Sequence, residues 1–168
     1  MNEKQMHDFV TKHINELGLL RLAEDKYSRY DAEHNRCIVE YKARRKFWKT
    51  TQIEKDKLEA NLRIAEEKGK AFLYVVFDGF DKIQVFNINK LVDNGYDFKW
   101  DTKWCPATTD FGGQPMNGEK IPKKVGEIAW DQAIRTLQLK RRDDKKKSDV
   151  KADAKPAERE FSYDDIDL

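Results

Sequence analysis

Apolar and polar positions alternate with different periods along this chain, and the periods predict its elements. Phe9, Val10, His13, Ile14 and Leu17 recur at helical spacing with Gly18 where a C-terminal cap would stand, predicting an opening helix of about four turns. Residues 19–29 mix apolar and charged side chains and predict a first strand leading into Tyr30-Asp31. A short apolar run, Cys37-Ile38-Val39, then delivers Glu40-Tyr41-Lys42, and the polar segment Glu33-His34-Asn35-Arg36 before it reads as a hairpin turn. Residues 52–68 carry Leu58, Leu62 and Ala65 as an inward stripe flanked by Ile53 and Ile64, which predicts a long second helix capped by Thr50 or Thr51 and ending at Gly69. The continuous run 71–77 reads as a central strand buried on both faces. Asp78-Gly79-Phe80-Asp81 is a turn, and residues 82–88 alternate as an antiparallel strand. Residues 91–111 hold turn formers with Trp100 and Trp104 and read as a loop that Gly112, Gly113, Pro115 and Gly118 extend. A strand over 123–130 and a short helix over 131–139 complete an α/β order.

Strand periodicity gives the third element its chemistry. Successive side chains alternate between faces, so Glu40 and Lys42 point one way while Val39, Tyr41 and Ala43 point the other. The hairpin folds the segment carrying Asp31 back against the one carrying Glu40, and a suitable register would bring the two carboxylates together beside Lys42. Such a site suits a hard divalent cation, which binds through one or two carboxylates and keeps several waters. The metal would activate a water and offset charge on phosphoryl oxygens, with Lys42 orienting or deprotonating that water. An alternative reading is a surface strand with a salt-bridged pair, since E-x-K recurs by chance in a chain that is 38% charged. Glu16, near the end of the first helix, is either a further metal-binding acid or a solvated face residue.

After Lys42 the chain turns basic and aromatic: Arg44, Arg45, Lys46, Phe47, Trp48 and Lys49. Cations track phosphates and rings stack on bases, so the cluster suits a nucleic-acid backbone; equally, Phe47 and Trp48 could simply pack onto the domain. Gln52, Lys55 and Lys57, in the first turns of the predicted second helix, are candidate phosphate contacts.

Composition bounds the class. A chain of 168 residues with 39% hydrophobic content suits one domain over 1–139 and a tail over 140–168. No apolar run approaches the roughly 18 residues of a membrane span, and the charged, amphipathic start is unlike a signal peptide. Cys37 and Cys105 form no metal-ligand pattern, so Cys37 reads as a buried thiol and the setting as reducing and cytoplasmic. The 33 basic and 31 acidic residues nearly cancel, leaving local distribution to decide partners. The tail alternates Lys and Arg with Asp and reads as disordered. Its tip, residues 161–168, joins Asp164, Asp165 and Asp167 to Phe161, Tyr163, Ile166 and Leu168, and would either solubilise the chain or dock into a basic groove.

The order helix, Asp31, Glu40-x-Lys42, then a helix bearing Gln52 and Lys57, resembles the core of the PD-(D/E)XK nuclease superfamily. The segment EYKARRKFWKTTQIEKDKLEANL is also similar to small nuclease-like proteins of that superfamily from bacteriophages. The resemblance covers residues 30–89 and extends faintly through residues 107–111 and the strand after Ile121. Tyr30 stands where the motif's name has Pro. The resemblance implies a restriction-endonuclease-like core, a mixed sheet flanked by helices. It also implies that Asp31 and Glu40 bind Mg²⁺ or Mn²⁺, that Lys42 is catalytic, and that Gln52 or Lys57 assists. The expected function is a phage-encoded deoxyribonuclease in the host cytoplasm with DNA as partner. Two alternatives stand beside it: an inactive nuclease-fold protein that binds nucleic acid or a host protein, and an adaptor whose acidic tail meets a replication or recombination protein.

Overall fold

The computed structural model describes residues 1–14, 17, 19–25, 28–107 and 119–139. The tail over 140–168, Glu16 and Gly18 lie outside the described residues, as do 108–111 of the faint extension of the resemblance.

Helix α1 (Glu3–His13) begins with a capping box: the Asn2 side chain accepts from the Gln5 N–H while Gln5 reaches back to the Asn2 N–H. It ends at His13, before the predicted Gly18, yet Ile14 and Leu17 remain buried beyond it. Apolar spacing located the buried residues and overestimated the helix, because burial continues after the helical hydrogen bonds stop. The predicted first strand shrinks to β1 (Arg21–Leu22). Next come β2 (Ala32–Glu33) and β3 (Cys37–Ala43), an antiparallel hairpin as expected, closed by the His34 N–H donating to the Cys37 carbonyl at 2.8 Å.

Two departures follow. The segment predicted to open the second helix is strand β4 (Thr50–Glu54), so helix α2 (Lys55–Glu67) starts three residues later than Gln52, without Thr50 or Thr51 as its cap. Thr51 and Ile53 are buried while their neighbours are half-buried, a period of two. Pairing with a distant strand then decides between the two readings. The predicted stop is present: Gly69 takes a positive φ of 62°, which favours glycine, and its N–H donates to the Glu66 carbonyl at 3.0 Å.

Strand β5 (Ala71–Phe77) is buried throughout and runs parallel to β3, with Glu40 opposite Tyr74 and Lys42 opposite Val76. Strand β6 (Lys82–Asn87) returns antiparallel and leads into helix α3 (Ile88–Asp93), capped by Asn87. The predicted loop beyond it holds β7 (Asp101–Pro106), which pairs with β8 (Lys120–Ala129). The predicted helix over 131–139 is a 3₁₀ turn (Trp130–Gln132) followed by β9 (Arg135–Gln138), an edge strand on β6. These misreadings share a cause: the strands are half exposed, so their apolar content is low until the partner strand is known.

Among the described residues the strands form a six-stranded mixed sheet, ordered β1-β2-β3-β5-β6-β9, and a three-stranded sheet, ordered β4-β8-β7. Alternation along β3 and β5 splits the core. Val39, Tyr41, Leu73 and Val75 pack with Met6 and Val10 of α1, whereas Ile38, Phe72, Tyr74 and Val76 share the opposite face with Leu58 and Ala65 of α2. A mixed sheet flanked by helices is the core layout expected from the sequence. No helix of the described residues is long and apolar enough to cross a membrane.

Candidate active site

The site grows from the β2–β3 hairpin. Ala32 pairs with Val39 and the Asp31 N–H donates to the Val39 carbonyl at 2.8 Å, so Asp31 falls across from Glu40 at the mouth of the hairpin. The Asp31 carboxylate is pinned because its Oδ2 accepts the Tyr41 N–H at 2.6 Å. Glu40 is 4% exposed and points to the α2 face, where its Oε1 pairs with the Lys57 ammonium; its Oε2 has no hydrogen-bond partner among the described residues. Lys42, two residues along the same face, has no hydrogen bond or ion pair among the described residues.

Crowding sets the electrostatics. Burial, then repulsion from Asp31, pushes the Glu40 carboxyl up to about 7, and burial raises Asp31 against the pull of the Tyr41 N–H and the Lys57 charge. Lys57 is held charged by Glu40, while burial and the neighbouring Arg44 and Lys57 charges lower Lys42, making it readier to release a proton. Both members of the Glu40–Lys57 pair shift upward. The coherent account is that Lys57 keeps its charge while two adjacent carboxyls resist sharing two negative charges.

That shift makes a stability prediction. An acid whose folded pKa is raised stabilises the fold below its unfolded value, near 4.5, and loses that contribution as pH rises through about 7. Metal-free protein is therefore expected to be less stable at about pH 8.5 than at about pH 5, with Glu40 contributing up to about 3 kcal/mol. Glu40→Gln, which mimics the protonated form, should flatten this difference in urea melts at the two pH values. An equally steep loss in the variant would remove Glu40 as its source.

One acid was missed by sequence reasoning. Glu3, in the first turn of α1, lies close enough to Asp31, Lys42 and Lys57 for their charges to act on it, and partial burial with Asp31 raises its carboxyl although its surface remains largely open to solvent. Glu3 thus brings a helix-borne acid to the site from the start of α1, while Glu16, the acid expected near the end of that helix, lies outside the described residues. The Asn2-x-x-Gln5 capping spacing carried that signal, since it places Glu3 at the first helical position.

No family model matches the chain, and no curated protein matches it. Among solved structures, it is similar to Hjc, a Holliday junction resolvase from Archaeoglobus fulgidus, an archaeal hyperthermophile. The two share 14% identity with a TM-score of 0.44, over 76% of this chain and 93% of that one. The likeness is distant.

The other candidates divide. Lys57 stands in the site on α2, whereas Gln52 lies on β4, so it cannot act from a helix as expected; its carbonyl accepts from Tyr74 Oη at 2.8 Å and from the Arg44 guanidinium. Arg44 is thereby partly engaged by the protein, also donating to Thr51 Oγ1 at 3.3 Å. Arg45, Lys46, Trp48 and Lys49 are exposed, and Phe47 stacks near Trp130 with ring centroids 6.3 Å apart. Lys55 pairs with Glu59 at 3.3 Å and lies over the Trp100 ring. Cys37 is buried and its thiol pushed up to about 12 by burial, as a core cysteine should be.

Proposed function

We propose that this chain is a metal-dependent nuclease that hydrolyses DNA phosphodiester bonds at Asp31, Glu40 and Lys42. The observation that carries the reading is the meeting of two carboxylates across the hairpin, each with one oxygen lacking a hydrogen bond among the described residues: Glu40 Oε2, which is buried, and Asp31 Oδ1. A buried acceptor without a partner is costly, and a hard cation is a natural one for it. No group of three His, Cys, Asp or Glu residues able to hold a metal gathers among the described residues. Two carboxylate ligands completed by water remain the usual arrangement for Mg²⁺, so the residues fit the ion.

Asp31 and Glu40 would hold the ion, which when bound supplies Lewis-acid stabilisation and a more acidic water. Lys42, with its lowered pKa and unpaired ammonium, orients the nucleophile and takes or shares its proton. Lys57 neutralises Glu40 in the free protein and, once relieved of that partner, can turn to the phosphate. Glu3 adds negative potential at the rim. The exposed Arg45, Lys46 and Lys49 extend a cationic track from the end of β3, suited to the DNA backbone.

One observation favours a second reading: the Lys57 ammonium already satisfies half of Glu40, as it would in a nuclease fold that binds nucleic acid without cutting it. A titration of Mn²⁺ by calorimetry at about pH 8, run beside incubation with linear, circular and single-stranded DNA in Mg²⁺, Mn²⁺ or EDTA, separates the two. The nuclease reading expects Mn²⁺ binding that weakens as pH falls through about 7, where protons compete for Glu40, and cleavage that EDTA stops. DNA binding with no heat of metal binding and no cleavage would leave the second reading standing.

A further inference from the structure

Where the chain leaves β3, two residues beyond Lys42, lies a concavity that the proposed chemistry leaves unused. Arg44, Trp48, Thr50, Gln52 and Lys103 line a pocket of about 240 Å³ between the chain leaving β3 and the outer face of the small sheet. Thr50 and Gln52 alternate with Thr51 and Ile53, which are buried in the core, so their side chains lie on the sheet's other face. Pockets for drug-sized ligands run from roughly 300 Å³ upward, so this one suits a single ring system and excludes a stacked base pair.

The lining is chemically specific. Trp48 is 64% exposed, although its main chain is anchored: its carbonyl accepts the Trp130 indole N–H at 2.7 Å. The Gln52 amide and the Thr50 hydroxyl form no hydrogen bond among the described residues, leaving donors and acceptors of both kinds. Arg44 is fixed through one nitrogen, Nη2, and the rest of its planar fork has no protein partner among them. Lys103 meets Glu127 at 3.5 Å, a loose pair, and a second acid of this face, Glu54, is neutralised by Lys123 at 3.1 Å. A stacking surface, a bifunctional amide and two cations describe a nucleotide. Arg44 follows two residues after Lys42 and its charge acts on that lysine, so the pocket adjoins the proposed reacting centre.

We propose that this pocket receives one unstacked nucleotide of the DNA strand immediately beside the scissile bond. Trp48 stacks on the base, Gln52 meets its edge, and Arg44 with Lys103 flank its phosphate. The inference deepens the nuclease reading and rests on it for the position of the cut. It names the substrate class: DNA with unpaired nucleotides at the site, such as single strands and duplexes with an overhang. A blunt duplex holds its bases in the stack and would have to unpair one to fill the pocket.

Binding without cleavage tests this. Full-length Glu40→Gln protein in EDTA is titrated by fluorescence anisotropy with a blunt duplex, the same duplex with an overhang, and that overhang carrying abasic sites. The overhang is expected to bind roughly tenfold tighter than the blunt end, with the preference erased by abasic sites and by adding Trp48→Ala, and largely kept by Trp48→Phe. Equal affinity for overhang and blunt end, or a Trp48→Ala loss of the same size on both, would overturn the pocket assignment. Because the exposed indole contributes little to the core, Trp48→Ala should melt with its parent. Should it not, Gln52→Ala carries the same expectation, since its anchoring carbonyl is retained. Cleavage assays of the wild type report separately on the nuclease reading. A chain that prefers overhangs but never cuts keeps the pocket and loses the nuclease, and a chain that cuts without the preference does the reverse.

Discussion

Glu40→Gln is expected to lose metal binding and DNA cleavage together, while Lys42→Ala loses cleavage and keeps the metal. On the proposed reading the two substitutions separate because the residues do different work on one strand face. Glu40 presents a buried oxygen without a hydrogen-bond partner among the described residues and loses a formal charge in the Gln variant at nearly unchanged shape. Lys42 has no hydrogen bond or ion pair among the described residues, so its truncation removes a cation from the proposed reacting centre without breaking a structural ion pair. Loss of one electrostatic group aimed at the transition state costs on the order of a hundredfold in rate or more, and loss of a metal ligand at least as much. The measurements are calorimetric Mn²⁺ binding and initial cleavage rates on the two purified variants. Rates within a few-fold of wild type in either would show that this face is not the catalytic one. Folding should not confuse the result. Glu40→Gln relieves repulsion with Asp31 in metal-free protein near neutral pH, and Lys42 lies on the partly open end of β3.

The largest stability effect is expected at Gly79, far in sequence from Asp31 and Glu40. Gly79 sits in the turn between β5 and β6 with φ at +87°, a conformation that side chains rarely adopt. A Cβ there would fall 2.7 Å from the Lys46 backbone nitrogen and carbonyl carbon, too close for contact with atoms that cannot rotate away. Asp78 holds the turn from the other side, its Oδ1 accepting the N–H groups of Phe80, Asp81 and Lys82 at 2.8, 3.0 and 3.1 Å. Gly79→Ala must therefore strain the turn or displace the basic segment 44–49, at a cost of about 3 kcal/mol. Urea denaturation measures the first outcome. On the proposed nuclease reading the second would appear as weaker DNA binding with a shallower salt dependence, since the cations proposed to track phosphates move with Lys46. A variant as stable as wild type with unaltered DNA affinity would contradict the close approach of the two segments.

What could be read from the sequence about this protein was whatever a local pattern encodes. The short all-apolar run of β5, rich in β-branched and aromatic residues, read as a doubly buried strand, and it is one. The alternation along β3 put Glu40 and Lys42 on one side, and a short polar segment before it made the hairpin that returns Asp31 to Glu40. Those three statements brought the two carboxylates and the lysine to one hairpin, because strand alternation and hairpin pairing are set within a dozen residues, and the register that puts Asp31 across from Glu40 came from the structure. Where two periods fitted one segment, the tertiary structure chose. Thr50 to Glu54 could open a helix or form a strand, and its pairing with β8, over seventy residues away, made it a strand and moved Gln52 off the helix. β7 and β9 gained their identity only from β8 and β6. The acid at the rim was decided in the same way. Helical spacing shows which face of α1 is buried but not which end meets the hairpin, and packing of α1 across the sheet brought Glu3 there. The close approach of Gly79 to Lys46 and the pocket between Arg44 and Lys103 likewise join segments that no local pattern relates. Local hydrogen-bond geometry writes a period into the sequence, whereas contacts between distant segments come from burying surfaces against each other and leave no period to read.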